Sequence, residues 1–122
     1  MAIRLMEAWA LLLYFDCLMR FGNFEKLYAA VRSCPRRQSS HADLDALCRA
    51  MDLACVFYFK RVLCLQRSAA TAVMFRRQGY AADLVIGVQL LPFYSHAWVE
   101  CNGRVVNDRP YVRDKFQVLE RC

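Results

Sequence analysis

The chain opens with a long stretch in which apolar positions are hardly interrupted. Residues 2–21 (AIRLMEAWALLLYFDCLMRF) contain strong helix formers and no glycine or proline, which predicts a helix. On a helical wheel Arg4 and Glu7 fall on one side and Asp16 and Arg20 roughly opposite, so no continuous polar face results. Such a helix is core or lies against a partner; the opposed charges favour core, with part of the helix left exposed. Gly22-Asn23 breaks it, and a shorter helix over about 24–33 follows. SCPRRQSS (33–40) reads as a loop whose Arg36 and Arg37 are solvated, with contact to an acidic peptide as the sharper alternative. Ser40 and Asp43 have capping-box spacing and predict a helix over about 41–54. CVFYFKRVL (55–63), aromatic and β-branched, links this helix to the next.

From Cys64 the helical pattern returns in CLQRSAATAVMFRRQ, closed by Gly79 as the residue after the cap, with arginines in the last turn where the dipole favours cations. Leu65, Ala69, Ala72 and Val73 form one face, small enough to lie close to a sheet. The rhythm then changes. ADLVIGVQLL predicts a central strand, PFYS a connector, and HAWVE and RVVND two paired strands around Cys101-Asn102-Gly103. The fold class that follows is α+β: helices first, then a helix bearing Cys64 packed on a small antiparallel sheet.

The 122 residues suit one domain, 1–122. A hydrophobic share of 58% exceeds what a core of this size needs, so part of it is expected at a partner surface. The formal charge of +6, arginine far ahead of lysine, would suit nucleic acid or an acidic peptide, but no nucleic-acid module is recognisable and ordinary solubility explains it. Seven cysteines cannot all pair within one chain. No signal peptide or membrane-spanning stretch is legible, so reduced thiols in a bacterial-type cytoplasm are expected. The absence of a C-x-x-C pair argues against a zinc site, and no metal is expected.

The register of the last hairpin bears on chemistry. With Asn102-Gly103 as a two-residue turn, Cys101 faces Arg104, Ala97 faces Asp108, and His96 and Asp108 point to opposite faces. A three-residue loop with Gly103 left-handed brings Glu100 opposite Arg104, Trp98 opposite Val106 and His96 opposite Asp108. The second register is preferred because it adds a cross-strand ion pair, worth roughly 0.2–1 kcal/mol, and keeps Val99 with Val105; Asn-Gly nevertheless supports the first equally as a turn. A histidine backed by a carboxylate is an oriented base. Cys64, opening a helix, is placed where the dipole and free backbone N–H groups stabilise a thiolate and could bind an oxyanion. By residue type alone each of these has an ordinary alternative: Cys64 a buried apolar side chain, His96 a satisfied core or rim residue, Asp108 a strand end.

Residues 64–108 resemble the transglutaminase-like cysteine peptidases of lasso-peptide biosynthesis, in particular the stand-alone leader peptidase equivalent to the C-terminal domain of microcin-processing proteins. The matching pieces are Cys64-Leu65 with Arg67-Ser68, Arg76-Arg77-Gln78-Gly79, Leu84-Val85-Ile86-Gly87-Val88, Pro92-Phe93, His96-Ala97-Trp98-Val99-Glu100 and Gly103-Arg104-Val105-Val106-Asn107-Asp108. The resemblance implies a papain/transglutaminase-like core over 64–108, preceded by a helical part over 1–55, with Cys64 as nucleophile, His96 as base and Asp108 as the orienting acid. It implies removal of the leader from a ribosomally made precursor peptide, with a separate leader-recognition-element protein delivering the precursor and an ATP-dependent lasso cyclase acting next. The chain is too short to include the winged-helix recognition domain, which implies the split arrangement. No cofactor is needed for this chemistry.

Phe93 and Tyr94 are candidates for the substrate cleft, with plugging of the core as the alternative; Trp98 is read as packing beneath His96 before it is read as a substrate contact. His41, at a helix start, is expected to be exposed and not the base. Two rival functions remain at the level of sequence: a transglutaminase-like acyltransferase, in which an amine replaces water, and a non-catalytic binding module in which Cys64 is structural.

Overall fold

A computed structural model describes residues 2–36, 43–90, 92–101, 103–107 and 112–122, the side chains of 2, 113 and 114 aside. Its elements are α1 (Ala2–Phe21), α2 (Phe24–Ser33), α3 (Leu44–Phe57), α4 (Cys64–Arg77), β1 (Ala82–Leu90), β2 (Phe93–Cys101), β3 (Arg104–Val105), α5 (Val112–Lys115) and β4 (Gln117–Arg121). The strands form one antiparallel sheet in the order β3-β2-β1-β4. The α+β class expected from the pattern is the one observed.

The helices α1, α2 and α4 run as the sequence pattern predicts. Asn23 caps α2 by accepting the Lys26 N–H at 2.8 Å. Gly79 ends α4 with φ +93, its N–H donating to the Arg76 carbonyl at 3.1 Å. The third helix differs from expectation. It starts at Leu44 with Asp43 itself as the cap and runs on to Phe57, three residues into the expected link. Ser40 and His41 lie outside the described residues.

The α1 side chains Ala8, Leu12 and Phe15, spaced i, i+4, i+7, are fully buried, while Ile3, Met6 and Phe21 are mostly exposed. Its apolar circumference is therefore split between core and surface. Helix α4 is buried on nearly every side: it packs on β1 and β2, and Gln66, Ser68, Ala69, Thr71 and Ala72 are all enclosed. The expectation of one small-residue face was too narrow, because α1 and α3 cover the side away from the sheet. A second, smaller cluster of Val85, Trp98, Val105, Val112 and Phe116 packs on the opposite face of the sheet.

Two expectations about the strands are corrected. PFYS is no connector: β2 begins at Phe93, because Phe93 and Tyr94 pair with Leu90 and Gln89 and lengthen the β1–β2 ladder. The hairpin after Cys101 adopts the register that was not preferred, with Cys101 opposite Arg104 and Glu100 opposite Val105. Gly103 has φ +76. Glu100 has better partners than Arg104: its carboxylate accepts from Trp98 Nε1 at 2.9 Å and from Arg121 on β4 at 3.1 Å. Val99 and Val105 consequently lie on opposite faces, in the larger and smaller clusters respectively.

Candidate active site

Cys64 is the first residue of α4, preceded by Leu63 in extended conformation. Gln66, fully buried, secures that helix start. Its Oε1 accepts the Leu63 N–H at 3.4 Å and its Nε2 donates to the Leu12 carbonyl of α1 at 2.8 Å. The aromatic link before Cys64 is tied to the same helix. Tyr58 donates its hydroxyl to Asp16 at 2.7 Å, and Lys60 pairs with the same carboxylate at 2.8 Å. Lys60, together with the Tyr58 hydrogen bond, holds the Asp16 carboxyl below its ordinary value; burial, then the bond to Asp16, pushes the Tyr58 phenol far above its own. Trp9 packs on Tyr58 and Phe59, with centroids 5.5 and 6.5 Å away. The aromatic residues of 55–63 thus anchor the approach to Cys64. Cys64 is exposed, at a helix end whose first N–H groups lack intrahelical partners and whose dipole favours negative charge.

His96 lies within β2, opposite Gly87 of β1. Its ring sits among Phe116, Trp98 and Tyr94, with centroids 5.5, 6.2 and 6.4 Å away. Gly87 makes room for this aromatic floor: a Cβ there would come within 2.7 Å of the Trp98 ring and 2.8 Å of Phe116 Cβ. Trp98 is fully buried and packs in the smaller cluster with Val85 and Phe116.

Cys64 and His96 line two adjoining clefts. One, of about 230 Å³, is polar, with Arg61, Arg67, Ser68 and Asn107 in its wall. The other, of about 390 Å³, is mostly apolar, with Met19, Phe24, Val62, Leu63, Leu65 and Tyr94 around the same two residues and Arg61 at the border with the first. Of the substrate-cleft candidates, Tyr94 is in this wall; Phe93 is exposed and in neither cleft.

A group the sequence reading missed ties these parts together. Asn107 Oδ1 accepts the Val99 N–H at 2.7 Å, its Nδ2 donates to Ser68 Oγ at 3.0 Å, and Ser68 donates to the Ala97 carbonyl at 3.1 Å. The backbone just after His96, at Ala97 and Val99, is thereby fastened to α4 one turn beyond Cys64. The Val106 N–H still donates to the Val99 carbonyl, at 3.0 Å, but the Asn107 side chain takes the return bond and the ladder stops there. The face argument for Asp108 therefore loses its basis, since it assumed a ladder running to 108. Asp108 itself lies outside the described residues. The available signal for this group was a serine, Ser68, one turn into α4, and an asparagine directly after two valines.

Four of the other thiols are differently placed. Burial pushes Cys48, Cys55, Cys101 and Cys122 up from the ordinary thiol value. Arg36 is exposed, as expected of a solvated loop residue, and its Nε donates to the Gly79 carbonyl at 2.6 Å. Arg37 lies outside the described residues. Among the described residues no three His, Cys, Asp or Glu side chains are grouped to hold a metal ion, and no helix is long and apolar enough to cross a membrane.

A family model described as the transglutaminase-like superfamily matches residues 11–121, nearly the whole chain. The chain belongs to that superfamily. Among curated proteins it is similar to the microcin J25-processing protein McjB of Escherichia coli, with 48% identity over 56 residues. That stretch is 46% of this chain and 27% of the relative, so about a quarter of the relative's length is spanned. No solved structure matches the chain. Within this superfamily member, then, a cysteine at a helix start and a histidine on a neighbouring strand share one cleft.

Proposed function

We propose that the chain is a cysteine peptidase that removes the leader from a ribosomally made lasso-peptide precursor, with Cys64 as nucleophile, His96 as general base and acid, and Asp108 as the group that orients the imidazole. The observation that carries this reading is the shared cleft of Cys64 and His96, with Cys64 at the N-terminus of a buried helix. Membership of the transglutaminase-like superfamily and the similarity to a microcin-processing protein support it.

In the proposed reaction His96 accepts the Cys64 proton and the thiolate attacks the scissile carbonyl. The oxyanion is met by unpartnered N–H groups in the first turn of α4, and His96 passes its proton to the departing amine of the core peptide. Water, deprotonated by His96, then releases the leader from the thioester. A leader-recognition protein delivers the precursor, and the freed amine passes to the ATP-dependent cyclase. The exposed apolar hollow formed by Leu5, Met6, Trp9, Ala10 and Phe57, about 400 Å³, is the surface we assign to that recognition protein.

The test is mass spectrometry of the precursor after incubation with this chain, with and without the recognition protein. One cut at the leader–core junction is expected, lost in Cys64→Ala and His96→Ala and strongly slowed in Asp108→Asn. An intact precursor in the presence of the bound recognition protein contradicts the reading.

A further inference from the structure

We propose, resting on the peptidase reading above, that the apolar cleft beside Cys64 and His96 is a subsite for one large apolar side chain of the peptide substrate, next to the bond that is cut. Its wall is assembled from four separate parts of the fold: Met19 from α1, Phe24 from α2, Leu63 from the link before α4, and Tyr94 from β2. Three of these side chains are large, apolar and more than half exposed, Phe24 at 57%, Leu63 at 51% and Tyr94 at 56%. Left open, that surface is unfavourable to hydrate; an apolar group seated on it gains roughly 25 cal/mol for each Å² removed from water.

The occupant follows from what else lines the cleft. Cys64 and His96 are part of its wall, so a folded partner seated there would cover the reacting thiol, whereas a peptide whose carbonyl lies at Cys64 Sγ must place a flanking side chain in this cleft or in its polar neighbour. The two differ in chemistry: Arg67, Ser68 and Asn107 line the polar side alone, Arg61 borders both, and apolar carbon dominates the other. A volume of about 390 Å³ is at the lower end of small-molecule sites, which run roughly 300–1,000 Å³. That suits one aromatic or long aliphatic side chain. The wall is also held in place before binding: Phe24 opens α2 directly after the Asn23 cap, and Tyr94 is paired with Gln89 in the β1–β2 ladder. Preorganisation of this kind lowers the ordering cost of binding.

The test needs no precursor, so it is readable whether or not leader removal is observed. The full chain is alkylated with iodoacetamide and, separately, with N-benzyl-iodoacetamide, and rates are read at each cysteine by peptide mass spectrometry. Cys17, exposed and outside the cleft, is the internal reference. The benzyl-to-plain rate ratio at Cys64 is expected to exceed that at Cys17 by roughly 3- to 10-fold, the size of a partly buried ring. It should fall towards the Cys17 ratio in Phe24→Ala and in Tyr94→Ala, two positions more than half exposed, and stay high in Phe21→Ala, outside the cleft. Equal ratios at Cys64 and Cys17, or a high Cys64 ratio that survives both cleft substitutions, overturns the proposal.

Discussion

Asn107 shows how much one polar side chain can organise. It replaces a ladder bond at Val99 and reaches Ser68 on α4, so two elements that carry the proposed chemistry meet through its amide. Asn107→Ala leaves the Val99 N–H and the Ser68 hydroxyl short of partners in a confined place, a loss of roughly 1–3 kcal/mol. Thermal unfolding should move down accordingly, by about 4–8 °C per kcal/mol for a domain near this size, and precursor cleavage should fall at least tenfold even at temperatures where the variant is folded. Cleavage at the wild-type rate would show that the clamp does not position His96. This residue was the least legible part of the site. An asparagine after a valine pair reads as a strand end, and its bond to a serine 39 positions earlier has no local signature.

At the scale of elements, what could be read were the features set by neighbours in sequence: the breaks at Gly22-Asn23 and Gly79, and the start of α4 at Cys64. What could not be read were pairings decided at a distance. The hairpin register turned on Glu100, whose salt-bridge partner is Arg121 on β4, beyond the last element the pattern marked. The strand span of Phe93 and Tyr94 depends in the same way on partners in β1. Gly87 is a further case: only the assembled sheet shows that Trp98 and Phe116 occupy the space a side chain would fill. Gly87→Ala should cost about 1–3 kcal/mol, the usual penalty of overpacking. Because His96 rests on the displaced rings, cleavage should fall more than the loss of folded protein accounts for; calorimetry and kinetics on one preparation separate the two.

The link before α4 gives a pH-dependent expectation. Lys60 and Tyr58 lower the folded-state value of Asp16, so their contribution is present above the unfolded carboxyl value of about 3.9 and is lost as pH falls through the folded one. Wild type should therefore melt higher than Asp16→Ala at pH 7, and the gap should close below pH 4. A gap that persists at low pH would mean that packing, not the ion pair and the Tyr58 hydrogen bond, holds the link.

Across the whole molecule, the apolar excess in the composition divides into three uses. Part is core around α4, part lines the cleft at Cys64, and part is the exposed hollow where α1 meets the end of α3. The last is read as the partner surface, where Met6 is 70% and Phe57 66% exposed. Met6→Asp and Phe57→Asp should leave thermal stability within about 0.5 kcal/mol, as for other surface changes, and weaken binding to the recognition protein at least tenfold by calorimetric titration. Unchanged affinity would move the interface elsewhere.

The central claim is that Cys64 is a reactive thiol because His96 serves it. It is tested most directly by site-resolved alkylation of the isolated chain at pH 6.5, in wild type and in His96→Ala. Cys64 is expected to be labelled at least tenfold faster than the exposed Cys17, with Cys48, Cys55, Cys101 and Cys122 lagging because burial keeps them protonated. In His96→Ala the Cys64 advantage should disappear. Equal labelling of Cys64 and Cys17 in wild type, or an advantage that outlasts the loss of His96, would contradict it.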